Sequence, residues 1–118
     1  MYPVSFEEED GLARFDWRAM IRRIVKEQSD GVESGVIAAR FMNTLVDMAV
    51  SQCLYARDVS GLSRVVLSGG SFQNMYIMSR LGAALEKEGF TVCRHRRVSP
   101  NDEGLSLGQL MIAKAKFQ

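Results

Sequence analysis

The stretch Arg64-Val-Val-Leu-Ser-Gly-Gly-Ser-Phe-Gln-Asn74 decides how this chain is read. Its first residues are β-branched and apolar, the composition of a short buried strand. Gly69 and Gly70 then turn the chain. From about Phe72 to Glu88, Ile77, Met78, Leu81, Ala84 and Leu85 recur at helical spacing, and Gly89 follows as a terminating residue. Phe90-Thr-Val-Cys-Arg94 reads as a second strand. Strand, helix, strand implies a parallel pair with a right-handed crossover. Ligands of open parallel sheets bind at the carboxyl edge of the strands, where the Gly-Gly turn falls. Glycines allow a backbone to approach a ligand and to adopt positive φ. The helix N-terminus beyond them offers unpaired N–H groups to an anion. The turn lacks the Gly-Lys-Ser/Thr ending of a Walker A loop and is not G-x-G-x-x-G. On its own such a turn is a weak signal and is more often purely structural.

Upstream, Asp16 reads as the N-cap of a helix carrying Trp17, Met20, Ile21, Ile24 and Val25 on one face, with Arg18, Arg22, Arg23 and Lys26 mostly opposite. A second helix is expected from about Ser34 to Arg57. Ile37, Phe41, Leu45 and Met48 form its stripe, and Val46, Ala49 and Val50 widen it enough to predict burial on more than one side. Residues 1–15 mix Glu7, Glu8, Glu9 and Asp10 with scattered apolar side chains and show no periodicity, so a loose lead-in is expected, with one domain over 16–118. A last helix is expected from Asp102 or Glu103 to Lys116. The predicted order is α-α-β-α-β-α, an α/β fold with a short parallel strand pair. Two parallel strands are too few for an independent sheet, so the chain is expected to complete a larger fold or to self-associate, as in a homodimer.

Composition narrows the function classes. In 118 residues, 15 Lys+Arg against 14 Asp+Glu give a net charge of +1, which excludes the large basic excess of broad nucleic-acid or membrane binders. Apolar residues at 47% and charged residues at 25% are globular values. No run is long enough to cross a bilayer and the N-terminus is acidic, so a cytoplasmic location is expected. Two separated cysteines, Cys53 and Cys93, and one histidine, His95, argue against a self-contained zinc site or a disulfide scaffold.

The second chemistry-bearing segment is Val98-Ser-Pro-Asn-Asp-Glu-Gly-Leu-Ser-Leu-Gly-Gln109. Asp102 either caps the helix that follows or serves as a carboxylate ligand to a divalent metal. Because both segments follow strand ends of a parallel pair, the Gly-Gly turn and Asp102 are expected to converge. The run Arg94-His95-Arg96-Arg97 reads as a solvated strand end or a contact for phosphate or an acidic tail. His95 has no acid or nucleophile near it in sequence.

Residues 65–74, Gly89-Phe90 and 98–109, in that order and spacing, resemble the C-terminal end of the HypF family, the nickel–iron hydrogenase maturation carbamoyltransferases. Asp16-Trp17-Arg18 and Ile37-Ala-Ala-Arg-Phe-Met-Asn-Thr-Leu45 resemble segments further upstream in that family, so the resemblance spans about residues 16–115. The resemblance implies part of an actin-like ATPase (ribonuclease H-like) domain, in the branch shared with the tRNA threonylcarbamoyladenosine carbamoyltransferases. It implies ATP or carbamoyl-adenylate as ligand, and carbamoyl transfer to the C-terminal cysteine thiol of a HypE-like partner. It places Gly69, Gly70 and Asn74 by the nucleotide. It makes Asp102 a ligand of a divalent metal (zinc, iron or magnesium) that two histidines from earlier in the domain would also hold. Met42 stands where the family commonly has His, and Glu103 where Gly is usual. The acylphosphatase, zinc-finger and adenylate-forming regions have no counterpart, so a C-terminal portion that is incomplete on its own is expected.

Overall fold

The computed structural model describes residues 1–97 and 102–117. The described chain divides into two units, Met1–Leu62 and Ser63–Gln118.

The first unit opens with a hairpin where a loose lead-in was expected. Strands β1 (Ser5–Glu9) and β2 (Leu12–Asp16) pair antiparallel, with Phe6 opposite Phe15. Asp10 and Gly11 both take positive φ, 53° and 74°, as a two-residue turn between right-twisted strands requires. Phe6 packs edge-on against Phe15 at 5.0 Å and against Tyr55 at 5.7 Å, which holds the hairpin on the helix that carries Tyr55. That helix is α2 (Ser34–Ser60), closed by Gly61 at φ 72°. Helix α1 (Arg18–Ser29) precedes it. Its N-cap position is Trp17 rather than Asp16, but Asp16 Oδ1 accepts a hydrogen bond from the Arg18 backbone N–H at 3.0 Å, so the aspartate caps from one position earlier. The Arg18 guanidinium holds the Asp16 carboxyl down at about 2.

Met20 and Val46 are buried in this unit, together with a polar cluster. Glu27, 6% exposed, accepts from Tyr2 Oη at 2.7 Å, Arg23 Nε at 3.1 Å and Arg40 Nη1 at 2.9 Å. Tyr2 is itself buried, and its backbone N–H donates to buried Thr44 at 3.0 Å. The Tyr2 hydroxyl is the leading cause that holds Glu27 below the ordinary carboxylate value of 4.5. Burial opposes it, and the two guanidinium groups add to it. A depressed folded pKa contributes stability above the unfolded value and loses it as pH falls through the folded one. The melting temperature should therefore drop on acidification from about pH 5 downward, and Glu27→Gln should flatten that limb while lowering stability at neutral pH. Equal acid limbs in a pH series of thermal melts would remove Glu27 from the account.

The second unit bears out the parallel pair. Strands β3 (Arg64–Leu67) and β4 (Thr91–Arg94) pair in parallel, Leu67 opposite Arg94, and helix α3 (Met75–Lys87) connects them. Leu67, Leu81, Leu85 and Phe90 are its buried core, with Leu85 at 0% exposure. Arg94 runs back along α3: its guanidinium lies over Gly82, where a Cβ would collide with it, and pairs with Glu86 at 3.4 Å. A 3-10 turn, Asp102–Gly104, leads into helix α4 (Leu105–Phe117), no residue of which is buried. The order is thus β-β-α-α-β-α-β-α, the expected sequence of elements preceded by a hairpin.

Candidate functional site

The site is built at the carboxyl edge of the β3–β4 pair. After Leu67, Ser68 leads into Gly69, whose φ of 109° and ψ of 161° lie in a region that glycine alone occupies without strain. Gly70 opens a 3-10 turn, Gly70–Gln73, closed by hydrogen bonds from Phe72 N to Gly69 O (3.1 Å) and from Asn74 N to Ser71 O (3.2 Å). Asn74 is the N-cap of α3: its Oδ1 accepts from the backbone N–H groups of Tyr76 (3.0 Å) and Ile77 (3.3 Å). The helix therefore begins at Met75, three residues later than its apolar pattern predicts, because the chain spends Ser71 to Gln73 turning over the strand end.

The two glycines differ in what requires them. Among the described residues, a Cβ on either would meet nothing within 4 Å. Gly69 is nonetheless fixed by its backbone conformation. At Gly70 neither conformation nor packing among the described residues demands glycine, which leaves room on the outer side of the turn for a ligand to approach the backbone.

Because the strands are parallel and Leu67 sits opposite Arg94, the next residues, Ser68 and His95, emerge side by side. His95 Nε2 lies 2.9 Å from Ser68 Oγ, and both side chains are exposed. Sequence reasoning passed over this pair, since 27 residues separate its members. The parallel register was the signal that could have found it: residues one step beyond the ends of paired parallel strands are neighbours.

Asp102 is exposed at the start of the 3-10 turn that leads into α4. Residues 98–101, which carry a third of the second motif including Asn101, lie outside the described residues. The structure thus brings Gly69, Gly70, Asn74, Ser68 and His95 to one strand edge, and places Asp102 in the same unit at the head of the last helix. Among the described residues no three His, Cys, Asp or Glu side chains gather as a metal site. Cys53 and Cys93 are free thiols, half-buried, and burial pushes the Cys53 thiol up.

The first unit has cavities of its own. One of about 360 Å³ lies between α1 and α2, lined by Ile24, Gln28, Ile37 and Phe41 among others. Another of about 400 Å³ is bounded by Tyr2, Arg23, Glu27 and Arg40. None of the predicted site residues, Gly69, Gly70, Asn74 and Asp102, lines either. Among the described residues no helix is long and apolar enough to cross a membrane.

Comparison with known proteins bears on what such an edge serves. Residues 1–109 match the family model described as "Carbamoyltransferase, Kae1-like Domain, second subdomain". The chain is 33% identical over 117 residues to Carbamoyltransferase HypF of Synechocystis, covering 99% of this chain and 14% of the relative. It is 37% identical over 76 residues to Carbamoyltransferase HypF2 of Cupriavidus necator, covering 64% of this chain and 9% of the relative. A crystal structure of full-length HypF in its phosphate- and nucleotide-bound form superposes with a TM-score of 0.91 at 37% identity, over 99% of this chain and 15% of that one. The chain therefore spans about one seventh of the relatives it matches along its whole length.

Proposed function

The chain belongs to the HypF carbamoyltransferase family, as the second subdomain of a Kae1-like domain, and from that premise we propose that it forms one wall of the site where an ATP-derived carbamoyl group is handed to a protein thiol. The observation that carries the reading is the Gly69-Gly70 turn: it sits at the carboxyl edge of a parallel pair, with one glycine fixed by its backbone and the other open to approach. Backbone N–H groups of such a turn suit the phosphate of ATP or carbamoyl-adenylate. Asn74 shapes the turn from beneath by capping α3, and so acts on a nucleotide through the backbone it orients.

Asp102 fits the role of one carboxylate ligand and no more, because no other described Cys, His, Asp or Glu side chains complete a site with it. A divalent metal there would neutralise phosphate charge, and its remaining ligands would come from outside the described residues. The acceptor in this proposal is a HypE-like protein with a C-terminal cysteine, and the setting is cytoplasmic. The isolated chain would bind nucleotide without completing the transfer.

Thermal melts with ATP, AMP and Mg²⁺ test the reading. A ligand at ten times its Kd stabilises by about 1.4 kcal/mol, enough to raise the melting temperature by several degrees. No shift with either nucleotide at millimolar concentration, confirmed by calorimetry, would count against it.

A second reading, a self-associating interaction module, is favoured by α4. Leu105, Leu107, Leu110, Met111 and Ile112 are 48% to 67% exposed there. Exposed apolar surface of this extent marks an association face.

A further inference from the structure

We propose that His95 is a positioning residue for the Gly-Gly turn: by donating from Nε2 to Ser68 Oγ, it aims the serine hydroxyl hydrogen outward, so that Ser68 becomes a donor to a phosphate oxygen of the bound nucleotide. The inference rests on the nucleotide-binding reading above and goes beyond it, since neither side chain is needed for that reading.

The geometry points there in three steps. First, strand alternation sends Arg94 and His95 in opposite directions. Arg94 is taken up along α3, over Gly82 and against Glu86, so it is not the cation of the strand edge. His95 instead meets Ser68 across the pair at 2.9 Å. Second, Ser68 immediately precedes Gly69, so its hydroxyl is tied to the segment whose backbone would face the ligand. Third, a serine hydroxyl is a rotor with one hydrogen and two lone pairs. An unrestrained rotor presents a lone pair to an anion as readily as its hydrogen. An imidazole N–H that occupies a lone pair turns the hydrogen away from the histidine and toward whatever lies on the turn. The opposite polarity, with serine donating to Nε2, would leave only lone pairs facing the anion and would repel it. An anionic ligand on this turn therefore selects the donor form of His95.

The chain has a single histidine, so its imidazole gives one set of ring nitrogen signals, assignable without mutation. Addition of ATP with Mg²⁺ to the full chain should fix the ring with hydrogen on Nε2, and the Gly69 and Gly70 amide signals should move in parallel. His95→Ala and Ser68→Ala should each weaken nucleotide affinity by about five- to tenfold, the worth of one hydrogen bond. The double variant should lose no more than either single one, because the two groups act as a unit. His95→Gln, which keeps an N–H donor, should recover most of the loss, an outcome that simple strand-end packing would not give. If nucleotide moves the Gly69 and Gly70 amides but His95→Ala binds as well as the parent, or Nε2 carries no hydrogen in the complex, the inference is overturned and the nucleotide site stands. If nucleotide moves neither the amides nor the imidazole of the parent chain, both fail together.

Discussion

A chain carrying Gly70→Val should fold as the parent does and lose the affinity for adenine nucleotide proposed for it, whereas Gly69→Ala should lose stability as well. The contrast follows from two structural features of adjacent residues. At Gly69 the backbone stands at φ 109° and ψ 161°, and holding an L-residue there costs roughly 1–3 kcal/mol, so alanine forces the turn to rebuild. At Gly70 no positive φ stands in the way and a Cβ meets nothing within 4 Å, so the fold should register the change within about 0.5 kcal/mol. A ligand resting on the turn meets the isopropyl group instead. Steric intrusion of that kind costs about 1–3 kcal/mol, or roughly 5- to 150-fold in affinity. Calorimetric titration with ATP beside a thermal melt separates the two. Gly70→Val with parental stability and parental affinity would show that no ligand approaches this turn.

The same turn shows how far the sequence could be read. The order strand, Gly-Gly, helix, strand was legible because each element has its own period, and the parallel pairing follows from the crossover alone. The start of α3 was not, because Phe72 lies close to the helical stripe yet sits in a 3-10 turn; the capping power of Asn74, two backbone N–H groups held by one oxygen, sets the boundary. Asn74 also carries a lesson about site residues. The family pattern assigns it to the nucleotide, and the structure gives it a capping role that suffices to explain an asparagine there.

The hairpin was missed for a different reason. Both strands are exposed or half-buried, so no apolar alternation marks them. Asp10-Gly11 was the available signal, since that dipeptide suits a turn with positive φ at both residues. Its anchor, the contact of Phe6 with Tyr55, is long-range and invisible in local pattern. The Glu27 cluster was hidden likewise: a glutamate four residues after Arg23 looks like half of an exposed i,i+4 pair until Tyr2, 25 residues away, closes over it. His95 and Ser68 belong to the same class, a pair created by register.

Helix α4 should be the least protected helix of the dilute chain, its amides exchanging within about tenfold of free peptide, while α3 is slowed by roughly a thousandfold or more. Leu81 and Leu85 of helix α3 are buried, as are Leu67 and Phe90 in the same unit. Helix α4 has thirteen residues and none buried. Isolated helices of that length are marginal in water. Gly108, with open space around it, removes about another 1 kcal/mol relative to alanine. At 100° per residue, Leu105 and Ile112 fall on one side, and Leu107, Leu110 and Met111 on the other. Apolar on both sides, the helix has the character of an element inserted between others, not of a surface helix with one wet face. What covers it differs between the two readings of the chain. If copies of the chain cover one another, light scattering gives a mass above one chain, α4 protection rises with concentration, and Leu110→Lys with Ile112→Lys abolishes both. If the cover is the remainder of a carbamoyltransferase domain, the dilute chain stays monomeric with α4 exposed, and protection appears when that domain is supplied. An α4 as protected as α3 in a dilute monomer would contradict both readings, because it would mean that the helix is already packed within a single chain.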